Sequence, residues 1–307
     1  MLRQSNPDGR IHPSKLILMS LPFLQVALIG KYQSPGIRSV LERIGTFLTQ
    51  RNIKVHLESA TAANTGLTGW GAYSMDDLGR SCELAIVAGG DGTMLSCARA
   101  LAPHGVALLG VNLGRLGFMA DTPMDRMNEV LGPVLEGTCE HESRAMLEGR
   151  VFRGARCIAA GIALNEVAIH RSSALGAVEV AISFDDAPIA SVLADGLIVS
   201  SPTGSTAYGM AAGGPILHPA IDAWIVVAIA ARTVVDRPLA LPQCGPIELL
   251  MGRDSAVSFD GQLHTALQPG DRVRIVKAAH PARFVHPRGW RYFDTLREKL
   301  HWYGNGA

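Results

Sequence analysis

The segment Ala85–Leu95, AIVAGGDGTML, constrains the fold more than any other part of the chain. Its apolar approach, LAIVA over Leu84–Ala88, reads as a strand buried on both sides, as in a parallel sheet covered by helices. The run then enters Gly89-Gly90-Asp91-Gly92, and a helix is expected from Thr93 to Leu101. Glycines at the end of such a strand let a ligand approach the backbone closely. The amides of the following helix N-terminus favour anions, phosphate above all. A carboxylate inside that loop would repel phosphate unless a divalent cation or a proton transfer gives it a task. Asp91 therefore suggests phosphate chemistry, and the competing reading is a side chain capping a tight strand-to-helix turn. The loop is neither a G-x-G-x-x-G fingerprint nor a Walker A loop.

The surrounding pattern agrees with a parallel sheet. VALIG (Val26–Gly30), Lys54–Glu58 and Val106–Val111 are further strands. Ile37, Val40, Leu41, Ile44, Phe47 and Leu48 mark one face of a helix, and Met127, Val130, Leu131, Val134 and Leu135 another. Repeated strand-helix-strand order implies a sheet with helices on both faces. From about Arg144 the texture changes to strand-like runs in quick succession: Ile162–His170, Val178–Phe184, Gly196–Ser200, Trp224–Ala230, Ile247–Met251, Ala256–Phe259 and Arg272–Val276. A second, β-rich domain is expected there. The aromatic, basic tail Trp290–Tyr303 is expected to be helical and to dock on the first domain.

Three further clusters stand out. GVNLGRLGF (Gly110–Phe118) follows a strand and reads as a second loop at the same sheet edge, or as an ordinary glycine-rich connection. Leu164-Asn165-Glu166-Val167 sets two adjacent polar side chains in an apolar strand. Adjacent strand residues face opposite sides, so one would enter a core unless the strand ends or bulges there. An amide donor beside a carboxylate acceptor suits the hydroxyls of a ribose; a strand-end Asn closing a loop is the alternative. In DGLIVSSPTGSTAYGMAAGGP (Asp195–Pro215), Ser200, Ser201, Thr203, Ser205 and Thr206 crowd hydroxyls into a glycine-rich loop. These hydroxyls could cap turns, but with Asp195, Gly196 and Tyr208 they look more like a nucleoside pocket. No G-x-S-x-G elbow is present to support a serine hydrolase.

Composition narrows the function classes. The chain has 307 residues, enough for two domains. Lys+Arg 28 against Asp+Glu 27 leaves a formal charge of +1, so no basic field exists to hold a nucleic acid. Hydrophobic residues at 48% and charged residues at 18% allow a large core. The five cysteines show no C-x-x-C spacing and suit a reducing cytoplasm. LILMSLPFLQVALIG (Leu16–Gly30) is too short for a membrane span and carries Pro22 and Gln25. It reads as a buried first strand from about Leu24 behind a loose N-terminal extension.

Taken in order, GGDGT (Gly89–Thr93), GVNLGRLGF, LNE (Leu164–Glu166), DGLIVSSPTGSTAY (Asp195–Tyr208) with AGGPILHP (Ala212–Pro219), and SFDGQ (Ser258–Gln262) resemble the NAD kinase family of bacterial type over about Val26–Leu300. GGDG alone also occurs in diacylglycerol-type lipid kinases and phosphofructokinases; the order and spacing of all five blocks is the specific signal. The resemblance implies an α/β fold with an N-terminal Rossmann-like parallel-sheet domain, a β-rich C-terminal domain and a C-terminal tail packed back on the first. The corresponding divisions are an extension over 1–22, the α/β domain with the GGDG loop over 23–143, the NAD-binding β-rich domain over 144–284 and the tail over 285–307.

The resemblance implies phosphorylation of the 2′-hydroxyl of the adenosine ribose of NAD, or of NADH, by ATP or polyphosphate with a divalent cation, Mg or Mn. By motif position Asp91 would be the general base, or a group orienting the metal. Gly89, Gly90, Gly92 and Thr93 would hold the donor phosphates, which would carry most of the metal's ligation. Asn165 and Glu166 would bind ribose hydroxyls, with Gly92 nearby and Phe118 beside the adenine. Thr206, Ala207, Tyr208, Gly209, Met210 and Ala211 would line the adenine and nicotinamide pockets, and Gln262 would be a further contact. Asp195 and Ala230 would reach the ligand across a subunit boundary in a homodimer or homotetramer. The chain departs from the family at Leu193, where a basic residue is frequent, at Ser201 for Thr, and at Gly209 and Ala211 for Ser. Ser96 is a small polar residue where a larger contact can occur. A lipid kinase of the diacylglycerol type and a non-catalytic NAD(P) sensor are the alternatives. Neither nucleic acid nor membrane is an expected partner.

Overall fold

The computed structural model describes residues 23–114, 117–172, 176–232 and 237–302. The expected extension over 1–22 and two residues of the GVNLGRLGF cluster, 115–116, lie outside the described residues.

Every residue of the strands Leu84–Gly89 and Ala107–Asn112 is buried, which is why both sequences are apolar throughout. They belong to an eight-stranded sheet in which Gly71–Tyr73, Lys54–Glu58, Gln25–Gly30, Leu84–Gly89 and Ala107–Asn112 run parallel, side by side in that order. Alternate residues of the first strand serve opposite cores: Val26 and Leu28 pack with the helices Ile37–Thr49 and Met127–Leu135, Ala27 and Ile29 with Met75–Ser81 and Asp91–Leu101. The strand Gln25–Gly30 has its sequence neighbour Lys54–Glu58 on one side and Leu84–Gly89 on the other. The strand order therefore switches at Gly30 and Gly89, where open α/β sheets form their ligand crevices.

The β-rich half is a sandwich of two six-stranded antiparallel sheets. One sheet runs Leu239–Pro242, Ala223–Ile229, Gly196–Ser200, Glu166–Arg171, Ser255–Phe259 and Leu263–Leu267. The other runs Ala187–Ala194, Val178–Phe184, Ile247–Met251, Arg272–Lys277, Leu147–Arg153 and Arg156–Ala163. Val167, Ile169, Leu197 and Val199 from the first face Leu147, Val178, Val180 and Leu249 from the second across a single core. The single run expected over Ile162–His170 is two strands, Arg156–Ala163 and Glu166–Arg171, in different sheets. The chain changes sheets at Leu164-Asn165, which resolves the conflict of two adjacent polar residues in one apolar strand.

The C-terminal segment re-enters the first domain as a strand, Ala282–Pro287, parallel to Ala107–Asn112 and antiparallel to Cys139–Arg144. It spans the expected division at 284/285. His286 fastens it there, with Nδ1 2.7 Å from Asp121 and Nε2 3.1 Å from Glu142. Burial alone would lower the His286 pKa, but these two carboxylates raise it. Burial would raise the Glu142 carboxyl, but Arg144 and His286 bring it down to about 2. The helix Tyr292–Leu300 follows and sets Lys299 Nζ 5.7 Å from the ring of Phe118.

Candidate active site

The helix expected from Thr93 begins at Asp91, and its N-cap is Gly90 with no side-chain cap. The Asp91 carboxylate turns away from its own helix to the second glycine cluster. Oδ2 accepts from the amide of Phe118 at 2.9 Å, and Oδ1 from Met119 at 3.0 Å and Ala120 at 3.2 Å. Asp91 therefore does not cap the turn; it joins the GGDG loop to the 117–120 loop. Gly117 is required for this approach, because a Cβ there would collide with Asp91 Oδ1. A carboxylate offers about four lone-pair sites, so three amides leave one for a further donor.

Between Gly30 and Gly90 lies a cavity of about 540 Å³ lined by Gly30, Lys31, Tyr32, Thr61, Gly92, Thr93 and Ser96, among others. Its one carboxylate, Glu58, is committed locally, accepting from the amides of Ala60 at 2.8 Å and Thr61 at 2.6 Å. Lys31 and Tyr32 were not among the expected site residues. Their signal was available in position alone, since they follow VALIG just as Gly89–Gly92 follow LAIVA.

The second half of the site is built on the sheet change. Leu164 packs into the first domain's core, the same core that takes Met119 and Ala120, whose amides hold Asp91. The next two side chains, Asn165 and Glu166, are 8% and 7% exposed, and Asn165 Oδ1 and Glu166 Oε2 are buried without a hydrogen-bond partner. Buried polar atoms are almost always paired, so these two mark a place where a ligand or water completes the structure. Burial, and then the neighbouring Asp260 carboxylate, push Glu166 up to about 7.

The hydroxyl-rich loop closes over this turn. Ser201 donates its amide to Asn165 O at 2.8 Å and its hydroxyl to Leu164 O, and Ser201 Oγ accepts from Gly204 N at 3.2 Å. Several hydroxyls singled out in the sequence are thus engaged in turn closure: Ser205 with Pro202 and Leu217, Thr206 with Thr203. A short 3-10 segment, Thr203–Thr206, leads to one helical turn, Tyr208–Ala211. Gly209 is buried, Ala207 and Met210 half-buried, Ala211 exposed. The Tyr208 ring lies parallel to His170, centroids 6.2 Å apart.

Not all expected residues converge. Glu166 pairs with Ser200, whereas Asp195 precedes Gly196, the partner of His170. At about 3.3 Å per residue the two ends of these strands stand roughly 15 Å apart. Ala230, with φ 48°, follows Ile229, whose carbonyl accepts the Asp195 amide at 2.9 Å. Asp195 and Ala230 thus form their own corner, where Arg171 at 3.0 Å and Arg232 at 3.6 Å pair with the Asp195 carboxylate. Gln262 is exposed, and its Oε1 accepts from Ser96 Oγ at 3.0 Å and from Arg99 Nη2. Asp260 was missed in the sequence although it lies in SFDGQ, because its partners are 94 to 161 residues away.

Among the described residues, no three His, Cys, Asp or Glu side chains converge to hold a metal ion. The one open position of Asp91 could take either a hydroxyl proton or a cation; in the first case phosphate oxygens and water would supply the cation's ligands. Among the described residues no helix is long and apolar enough to cross a membrane.

Comparison with known proteins agrees with this geometry. Residues 26–139 match the ATP-NAD kinase N-terminal domain and residues 164–287 the ATP-NAD kinase C-terminal domain. The chain is 46% identical over 286 residues to an NAD kinase of Polaromonas naphthalenivorans, covering 92% of this chain and 98% of the relative. It is 45% identical over 294 residues to an NAD kinase of Acidovorax ebreus, covering 93% and 99%. Among solved structures, yeast NADH kinase complexed with NADH superposes with a TM-score of 0.84 at 21% identity, covering 93% of this chain and 89% of that one. An NAD kinase from Archaeoglobus fulgidus in complex with ATP gives 0.72 at 23% identity, covering 89% and 99%, and these two support the fold. With both domains matched along one continuous chain, the protein belongs to the NAD kinase family.

Proposed function

We propose that the chain transfers the terminal phosphoryl group of ATP to the 2′-hydroxyl of the adenosine ribose of NAD, giving NADP. The observation that carries this reading is the pair of unpartnered buried atoms, Asn165 Oδ1 and Glu166 Oε2, on the residues that follow Leu164, which shares the first domain's core with Met119 and Ala120. An amide and a carboxylate side by side suit a ribose, the carboxylate accepting from its hydroxyls. Asp91 takes the 2′-hydroxyl proton through its open lone pair as the O2′–Pγ bond forms and the bridge to the β-phosphate breaks, releasing ADP. A positioned base contributes roughly 10²–10⁴-fold; alignment and charge neutralisation supply the rest. The cavity beside Gly90–Thr93 receives the donor, its phosphates on the helix N-terminus. A divalent cation, Mg or Mn, when bound among those phosphates, neutralises their charge. Phe118 stands beside the adenine, and Thr206–Ala211 line the rest of the dinucleotide site.

Asp195 and Ala230 lie at the far end of the sheet from Glu166 and meet the dinucleotide of a neighbouring subunit, which makes the working unit a homodimer or a homotetramer. Light scattering of the purified protein checks this; a monomer at working concentration would remove both residues from the site. The five free cysteines suit the cytoplasm.

Incubating the protein with NAD and Mg²⁺, and with ATP or polyphosphate in parallel, tests the reading through an NADP-specific dehydrogenase. NADP is expected with ATP. Phosphorylation of a diacylglycerol but not of NAD, or tight NADP binding with no turnover on any donor, would overturn it.

Glu166 adds a pH signature. Its pKa of about 7 makes the ionised fraction rise about tenfold between pH 6 and pH 8. The ionised form accepts from ribose hydroxyls, so NAD affinity is expected to rise over that range by up to the same factor. Titration calorimetry at several pH values checks this, and Glu166→Gln should flatten the profile. For the fold the sign is opposite. A carboxyl with a raised folded pKa binds more protons folded than unfolded, so its contribution to stability falls as pH climbs from the ordinary carboxylate range towards 7.

A further inference from the structure

Asp260 lies at the end of the strand Ser255–Phe259 with φ 49°, its side chain fully buried. Its carboxylate accepts from the amides of Leu164 at 3.0 Å, Asn165 at 2.8 Å and Glu166 at 3.2 Å. It also accepts from Arg99 Nη1 at 2.6 Å. Arg99 belongs to the helix Asp91–Leu101, about two turns beyond Asp91, and its other terminal nitrogen holds Gln262 Oε1. One guanidinium therefore grips both ends of the Asp260–Gln262 turn, and that turn grips the segment bearing Asn165 and Glu166. The helix that starts with the proposed base is fastened by this fork to the proposed ribose-binding pair on the other domain.

We propose that Arg99 and Asp260 are positioning residues that hold Asp91 in register with the ribose-binding pair, an inference that rests on the proposed phosphorylation of NAD. Neither touches the reacting atoms. The donor cavity is lined by first-domain residues, and the ribose pair belongs to the second. Releasing the fork leaves each half-site intact and changes only their mutual placement. Displacement of a reacting group by about 1 Å costs on the order of a hundredfold in rate. A planar guanidinium presents donors in two directions at once, whereas an ammonium acts as a point charge.

Asp260 is a poor place to test this, because its three amide bonds close the turn itself. Arg99→Met keeps an apolar stem of similar length and leaves Asp260 its three amide donors. The expected result is a kcat roughly ten- to a hundredfold lower. The KM for ATP and the calorimetric Kd for NAD should stay within about threefold, and circular dichroism should be unchanged. Arg99→Lys restores a charge at Asp260 without the fork to Gln262 and should recover part of the lost kcat. An unchanged kcat in Arg99→Met would overturn the proposal. So would a loss carried by the KM for ATP, which would make Arg99 a donor-binding residue, or one carried by the Kd for NAD. Absence of NADP formation by the wild type would instead overturn the reading beneath it.

Discussion

Asp91→Asn is expected to cut turnover at least about a hundredfold, the low end for loss of a positioned base, while NAD still binds with nearly its full affinity. The substitution removes the proton acceptor but is not silent in its surroundings. An Asn oxygen can keep the two amides that Oδ1 serves, Met119 and Ala120, but its NH₂ then faces the Phe118 amide, donor against donor. Leaving that amide unsatisfied costs about 1–3 kcal/mol, and the melting temperature should fall by a few degrees. Lost chemistry and a displaced loop therefore act together in this variant. Gly117→Ala separates them: the added methyl pushes against Asp91 Oδ1 without removing the carboxylate. Its turnover should fall less, roughly tenfold, with the carboxylate still present. Steady-state kinetics on the two variants, with calorimetric NAD binding, checks both. If Asp91→Asn turned over like the wild type, the carboxylate would be a loop clamp and nothing more.

The second large effect is expected at Gly204. A Cβ there would lie 2.6 Å from the carbonyl carbon of Asn165 and collide with its oxygen. Both atoms are backbone, in a segment fixed by the Ser201 bonds and by Asp260, so no flexible side chain can yield. Overpacking of this kind costs about 1–3 kcal/mol. Here the strain falls between the loop that lines the dinucleotide site and the turn that carries the ribose pair. Gly204→Ala should weaken NAD binding at least tenfold while the KM for ATP, set in the other domain, stays close to its original value. Gly214→Ala is a weaker control, since its Cβ meets Gly209 O at 2.8 Å away from that turn.

Much of this arrangement was legible before the fold. Buried runs such as Leu84–Ala88 and the 3.6-residue spacing of Ile37–Leu48 and Met127–Leu135 report local burial, and local burial is what decides strand or helix. Lys54–Glu58, Val178–Phe184, Gly196–Ser200 and Ile247–Met251 have the bounds their patterns imply. Sheet membership is different, because it depends on pairing between distant segments. Hence Ile162–His170 read as one strand although Leu164 leaves one sheet and Glu166 enters another. The expected division at 284/285 likewise cuts through Ala282–Pro287, a single strand whose partners are Ala107–Asn112 and Cys139–Arg144. In the site, the glycines and Asp91 announced themselves because small residues and a carboxylate at a strand end are chemically conspicuous. Asp260 was hidden for the opposite reason: a carboxylate in a D-G turn looks like turn chemistry, and only its four donors from two distant segments give it another role.

The central claim is that Asp91 and the Asn165–Glu166 pair direct a phosphoryl group to one particular hydroxyl. It is tested most directly with NAD and ATP labelled in the γ-phosphate, followed by cleavage of the product's pyrophosphate bond. Recovery of the label in adenosine 2′,5′-bisphosphate, abolished or nearly so in Asp91→Asn, is the expected result. Label at the 3′-position, or none in the nucleotide product of an enzyme that still binds NAD, would contradict the account.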